Sequence, residues 1–403
     1  MEIRDTFLLI NKNMSSHPKE DSLKNLLSKV LHDSVEEFEP HPPLFDMSLK
    51  SDVSQLRIFL VKQGKNIVKI DHYLRMLQEF FDVTHPQLKH NPLEKEKLFN
   101  KFLAKHTTNH DLERCGVWVY YPWTNKIVHC LDKDRYQRVR TSRNQNLVSL
   151  EEQKVLYRLH IGVIGLSVGQ AAVLNLVIGG IGNFMRLADP DIIECTNLNR
   201  ILGSLENLYT KKAYFLAKKI YEINPFAELD LYPTLITQNN IDDFLCKGKR
   251  LDVVIDAFDD IKMKINLRVV AKKYRIPVVM ATDLGNGAMV DVERFDMNKE
   301  TPLFGGRISD IDIDSLPETL EYKDIARFAS QIIGMENLPL RMKESLSQVG
   351  KTLAGHPQLA LASSLAGTLT TFAVKQIALN KKISKNRVHI PFEKLFEEED
   401  RSA

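Results

Sequence analysis

Apolar residues recur at helical spacing through RIFLVKQGKNIVKIDHYLRMLQEFF (57–81) and PLEKEKLFNKFLAKH (92–106), which predicts helices there. The next segment, GVWVYYPWTNKIVHCL (116–131), alternates apolar and polar positions on either side of Pro122 to Asn125 and predicts a β-hairpin. Both tryptophans, Trp118 and Trp123, fall in it, and large aromatics so placed are expected to plug the hairpin against the following domain. From residue 160 the pattern changes to short apolar runs separated by helix-period segments. HIGVIGL, VGQAAVLNLVIGG, FMRLAD, TKKAYFLAKKIYEINP, ELDLYPTLI, IDDFLCKG, LDVVIDAF, IKMKINLRVVAKKYR and IPVVMATD read in turn as strand, helix, strand, helix, strand, short helix, strand, helix and strand. Parallel neighbours joined this way need right-handed crossovers, so the expected fold is α/β: a Rossmann-like, mostly parallel sheet with helices on both faces. AMVDVERFD (288–296) reads as an antiparallel continuation, residues 318–349 as an inserted helical hairpin, and LALASSLAGTLTTFAVKQIAL (359–379) as a closing helix rich in small residues.

Residues 1–45 are polar and mixed up to the stop at EPHPPLF and read as a partly ordered lead-in; the acidic tail FEEEDRSA reads as solvated. With 403 residues the chain exceeds one typical domain. The expected division is a smaller N-terminal α+β accessory domain over 1–139 and a larger domain over 140–403. A hydrophobic share of 43%, a charged share of 27% and a net charge of +3 suit a globular protein without a one-signed field for nucleic acid or anionic lipid. Cys115, Cys130, Cys195 and Cys246 form no CxxC pair, so neither a structural zinc nor a disulfide scaffold is expected. Ile161 to Met185 holds no charged residue and is long enough to span a bilayer, yet its glycines and asparagines break it into strand, turn and helix. No export signal is read at the N-terminus, and a cytoplasmic location is expected.

The turn Gly165-Leu-Ser167-Val-Gly169 follows a strand and opens a helix, where backbone N–H groups and the helix dipole meet a phosphate. It also fits G-x-S-x-G, the elbow of serine hydrolases, with Asp259 or Asp283 and His356 downstream in the order such a triad requires. That reading demands several earlier strands, whereas this turn ends the first parallel strand. The second strand ends in DPDIIECTNLNR, where Asp189 stands at the distance from the turn suited to ribose hydroxyls. Asp191, Asn197, Arg200, the Lys211-Lys212 pair and Asp259 can gather at the same edge. Cations and a carboxylate for magnesium suit attack on the α-phosphate of ATP; hydride transfer has no use for them.

These residues resemble the ThiF, MoeB and ubiquitin-activating adenylation domains, from about Arg140 to Phe295 and again near 359–379. The most specific piece is DPDIIECTNLNR, similar to the family's D-x-D-x-(V/I)-x-x-x-N-L-x-R. The resemblance implies that Asp189 holds the ribose, that Asn197 and Arg200 contact phosphates, that Lys212 neutralises them and that Asp259 is the magnesium-linked aspartate. It further implies that Arg143, in RTSRNQ, reaches the ATP of a second subunit, making the protein a homodimer. Three features depart from the family. Ser167-Val168 replaces a glycine pair, the stretch before the lysines is a residue shorter so that Lys211 and Lys212 both remain open with Lys212 preferred, and Arg143 lies nearer the turn. The absence of cysteine after Cys246 argues against a thioester step.

The expectation is therefore an ATP- and magnesium-dependent, zinc-free adenylyltransferase. It activates a carboxylate as acyl-AMP and passes it directly to a nucleophile. The donor is a peptide or protein C-terminus, an amino acid or a carboxylate on a modified, tRNA-linked nucleoside, with no other nucleic acid and no membrane implied. A serine hydrolase acting through Ser167 and a non-catalytic nucleotide-binding scaffold are the rival readings.

Overall fold

The computed structural model describes residues 40–63, 66–107, 111–308 and 321–396, all of which fall in one compact unit. The lead-in up to residue 39, the first residues of the expected helical insert and the acidic tail from 397 lie outside the described residues.

The N-terminal portion builds a four-stranded sheet in the order β1-β3-β4-β2 from β1 (Leu44–Asp46), β2 (Val68–Asp71), β3 (Val117–Tyr121) and β4 (Lys126–Cys130). The hairpin β3–β4 forms where alternation predicts it, and Asn125 takes the left-handed conformation (φ 51°) that closes its turn. The segment 57–81, expected as helix throughout, is instead α1 (Lys50–Gln63), then β2, then α2 (Tyr73–Thr84). β2 pairs in parallel with β4, and tertiary pairing overrides the local helical period. α3 (Pro92–His106) follows, with Asn91 capping its start by accepting from Glu94 N.

The hairpin does plug the larger body. Tyr121 and Trp123 pack on the main core, Trp123 Nε1 donates to Glu222 at 2.8 Å and Tyr121 Oη to the Tyr221 carbonyl at 3.2 Å. Trp118 turns the other way and stacks on buried His129 at 4.1 Å. Two short helices, α4 (Lys133–Arg140) and α5 (Leu150–Tyr157), lead to the second sheet.

That sheet has seven strands in the order β11-β10-β9-β8-β5-β6-β7. β5 (His160–Ile164), β6 (Phe184–Ala188), β7 (Glu228–Tyr232), β8 (Val253–Asp256) and β9 (Val278–Leu284) are parallel, while β10 (Gly287–Glu293) pairs antiparallel with both β9 and β11 (Arg387–Ile390). β11 carried no prediction. Alternate residues of each strand feed two cores. Ile161, Val163, Val253 and Ile255 pack with α6 (Val168–Ile178), α7 (Lys212–Ile223) and α12 (Ala360–Ala378); Val254 and Val278 pack with α8 (Ile241–Cys246) and α9 (Ile261–Lys273). The fold is thus the expected Rossmann-like α/β sheet with helices on both faces. Chain order steps from β5 to β6 and β7 on one side and to β8 and β9 on the other, so a topological switch lies between β5 and β8.

The uncharged stretch 161–185 resolves into β5, α6 and the start of β6, and among the described residues no helix is long and apolar enough to cross a membrane. α10 (Tyr322–Ile333) and α11 (Leu340–Leu346) form the inserted pair and pack through Leu338 on Leu284 and Met289. α12 lies directly on α6, because a side chain at Gly367 would meet Ala171 Cβ at 2.6 Å. At the opposite edge α9 ends with Arg275 in the left-handed region (φ 52°), the position glycine fills most easily.

Candidate active site

Gly165 follows β5 with φ 89°, and a Cβ there would stand 2.2 Å from the Ala257 carbonyl, so only glycine lets this turn approach the end of β8. The chain then enters α6 at Ser167. Gly169 lies in the first turn of that helix, where a Cβ would stand only 3.1 Å from Val163 and 3.2 Å from Ala257. Val168 and Gly169 open α6 at the carboxyl edge, where the first N–H groups of a helix have no i−4 carbonyl to meet.

Arg200 is brought over this turn by the crossover after β6. Its Nε donates to Ser167 Oγ at 3.3 Å and its Nη1 to the Thr196 carbonyl at 3.0 Å, and it has no ion-pair partner among the described residues. Gln170 of α6 holds the crossover down, its Oε1 accepting from Leu202 N. The Ser167 hydroxyl therefore meets an arginine, and among the described residues no histidine adjoins it. His356 is exposed in the segment before α12. The serine-hydrolase reading finds no support in this geometry.

One strand over, the two aspartates of D-x-D separate. Asp189 is buried, its Oδ2 accepting from Leu166 N at 2.6 Å and its Oδ1 from Asp191 N at 2.8 Å. Burial, only partly offset by Lys212 and these bonds, pushes its carboxyl above the ordinary range. Asp189 is the residue expected on the ribose; each of its oxygens accepts one main-chain amide, which ties the turn after β6 to the glycine turn. Asp191 is exposed and pairs with Lys212 Nζ at 2.9 Å, while Lys212 itself is buried and lies 4.0 Å from Asp189. Lys211 sits outside this group and donates to the Pro190 carbonyl. Asn197, expected on phosphate, is buried, its Oδ1 accepting from Glu194 N to cap the turn that aims Arg200.

Asp259 follows β8 and is exposed at the switch point. Three positions earlier, Asp256 is fully buried between Lys264 Nζ at 2.6 Å and Arg268 Nη1 at 2.7 Å, and Arg268 also pairs with Glu293 at 2.7 Å. Burial opposes the Asp256 charge, but the two cations outweigh it and hold its carboxyl below the ordinary value of 3.8.

Three further residues close the crevice. Asp283 ends β9, its Oδ2 accepting from Gln358 Nε2 at 3.1 Å, and the Gln358 carbonyl accepts from Asn199 Nδ2 at 2.8 Å. Burial raises the Asp283 carboxyl above its usual range, with Asp259 adding to the rise and Arg200 opposing it. In the sequence Asp283 stands out only as a candidate triad acid; the signal for its place here is a polar residue closing the apolar run IPVVMATD.

Arg143 alone stands apart. It is exposed beside Asn144, whose Nδ2 donates to the Gly179 carbonyl at the C-terminal end of α6. An eleven-residue helix is roughly 16 Å long, so the whole of α6 separates Arg143 from the glycine turn of its own chain.

The ThiF family model matches residues 141–378. An uncharacterized protein of Mycobacterium tuberculosis is 36% identical over 279 residues, which are 69% of this chain and 38% of that one. The tRNA threonylcarbamoyladenosine dehydratase of Haemophilus influenzae is 35% identical over 138 residues, 34% of this chain and 51% of that one. The sulfur carrier protein ThiS adenylyltransferase of Escherichia coli is 26% identical over 147 residues, 36% of this chain and 57% of that one. The chain thus spans between 38% and 57% of the length of these three relatives.

Proposed function

The chain belongs to the ThiF family, and from that premise we propose that it is an ATP-dependent adenylyltransferase that activates a carboxylate as acyl-AMP and releases pyrophosphate. The observation that carries this reading is the position of Arg200, a guanidinium without a carboxylate partner held over a glycine turn at the switch point. Lys212 and Asp191 stand one strand away. A fixed cation beside the free N–H groups of a helix start is what an α-phosphate under attack requires, since charge builds there and on the leaving pyrophosphate.

In this proposal the glycine turn from Gly165 to Gly169, which leads into α6, cradles the phosphates and Arg200 clamps them. Asp191, with Lys212 at its side, accepts from the ribose hydroxyls, and Asp189 and Asn197 position the two loops. Asp259 fits magnesium, being an exposed carboxylate at the switch point, and that ion usually takes one or two protein carboxylates with phosphate oxygens. Bound there, magnesium screens the phosphates. Arg143 serves the site of a second copy, which makes the active form a homodimer; its distance from its own glycine turn supports this. The acyl group passes directly to its nucleophile in this reading, and the lack of cysteine within residues 247–403 supports it. The small N-terminal sheet and the α10–α11 pair are the proposed selectors of a peptide, amino acid or tRNA-linked donor; the relatives include a tRNA-modifying enzyme.

Exchange of labelled pyrophosphate into ATP, run with panels of carboxylates, tests the reaction; ATP binding without exchange for any of them rejects it. Mixing Arg143→Ala with Arg200→Ala copies tests the subunit crossing, because two-fold assembly recreates roughly a quarter of intact sites. No recovery on mixing removes Arg143 from the site.

A further inference from the structure

The crevice has a direction. Along the carboxyl edge β6 leads to Asp191, β5 to the glycine turn, β8 to Asp259 and β9 to Asp283. Neighbouring strands lie about 4.8 Å apart, so Asp283 stands roughly 10 Å past the glycine turn, on the side away from Asp191. An adenylate with its ribose at β6 and its phosphate over β5 directs its acyl group toward β8 and β9. At that end the inserted helices come close to the turn after β9, where a Cβ at Gly285 would stand 2.8 Å from Pro339 Cγ.

Asp283 is anchored but incomplete. Gln358 donates to it and is itself held by Asn199, so the carboxylate is aimed by two loops that are distant in sequence. No ion-pair partner adjoins it among the described residues. Arg200 acts on it only at a distance, and Asp259 adds a like charge. A half-buried carboxylate beside another carboxylate is completed by a positive group on the ligand.

We infer, on the adenylation reading above, that Asp283 is the subsite for an ammonium group on the acyl donor, and that the donor class is an α-amino acid with a free amino group. In the first half-reaction a donor carboxylate oxygen attacks the α-phosphorus and the bond from that phosphorus to the bridging oxygen of pyrophosphate breaks. Acyl-AMP and pyrophosphate result, and the ammonium keeps its protons, paired to Asp283. The Cα position suits the distance, because it sets the ammonium one bond from the carbon adjoining the reacting carboxylate.

The test is pyrophosphate exchange by the full chain with MgATP and three sets of donors: the standard amino acids, their N-acetyl derivatives and their deaminated counterparts. At least one free amino acid supports exchange, and acetylating or removing its amino group raises KM by about 10- to 100-fold. Asp283→Asn shrinks that gap to a few-fold by weakening the free amino acid alone, with the KM for ATP unchanged, and Asp283→Glu restores part of it. Exchange that is equally good with N-acetyl or deaminated acids overturns the inference while leaving adenylation intact. So does an Asp283→Asn variant that loses free and blocked donors to the same extent. The donor comparison on the unaltered chain stands even if a variant fails to fold. If no carboxylate of any kind supports exchange, the adenylation reading itself fails and this inference falls with it.

Discussion

Two aspartates three positions apart at the end of β8 carry the same charge and do opposite things. Asp256 is buried in a closed group with Lys264, Arg268 and Glu293, and its charge is consumed in holding α9 to the sheet. Asp259 is exposed at the switch point, near Asp283 and Arg200, and its charge is left for a ligand. The contrast extends to the cations. Arg268 is locked between two carboxylates, whereas Arg200 rests on a hydroxyl and a carbonyl. A charge that the fold neutralises contributes to stability, and one that the fold orients without neutralising is available to substrate.

Removing a cation from each group should separate these effects most sharply. Arg268→Ala strands two buried carboxylates and should cost about 3–5 kcal/mol in urea unfolding, with exchange per folded molecule retained. If activity falls while stability holds, the buried group is not the structural one. Arg200→Ala should do the reverse, lowering the rate of exchange by about 10²–10³-fold, with a stability change of about 0.5 kcal/mol or less. A large loss of stability there would mean that Arg200 too is spent on the fold.

Acid should split the aspartates further. The Asp256 carboxyl lies below 3.8 in the folded chain, so its contribution is complete above that value and is lost as pH falls through the lower, folded one. Asp189 and Asp283 are raised, so the folded chain keeps their protons where the unfolded chain has released them. They weaken the fold as pH rises from 3.8 to their folded values. Asp256→Asn should therefore flatten the acid limb of the urea midpoint against pH, and Asp283→Asn should flatten its slope just above. The smallest effect is expected far from both groups. Arg275→Gly relieves a left-handed arginine and should raise stability by about 1 kcal/mol without touching exchange.

The strand and helix alternation from residue 160, the glycine turn and the cluster following β6 were legible because each rests on local pattern. Periodicity gives the sheet, and a turn-forming glycine or a run of polar residues marks a strand's end. What was not legible depends on pairing across the chain. β2 is four residues long and mostly exposed, so it offers no buried alternation, and its pairing with β4 is set by residues far away in sequence. Asp189 and Asp191 look equivalent in sequence; only the Leu166 and Asp191 amides draw the first inward. Asp283 and Gln358 are 75 positions apart, and no short motif links them. Arg143 illustrates the limit in another way, since its own chain gives it no role at the crevice.

Gly165 touching the backbone of Ala257 has a further consequence for how such a site can change over time. The phosphate end is interlocked main chain against main chain, so nearly every substitution at 165 also displaces the loop leading to Asp259, and this end tolerates little drift. The turn after β9 meets the insert through side chains such as Pro339, which can be exchanged one residue at a time. New donor preferences can therefore arise there while the machinery for ATP stays as it is.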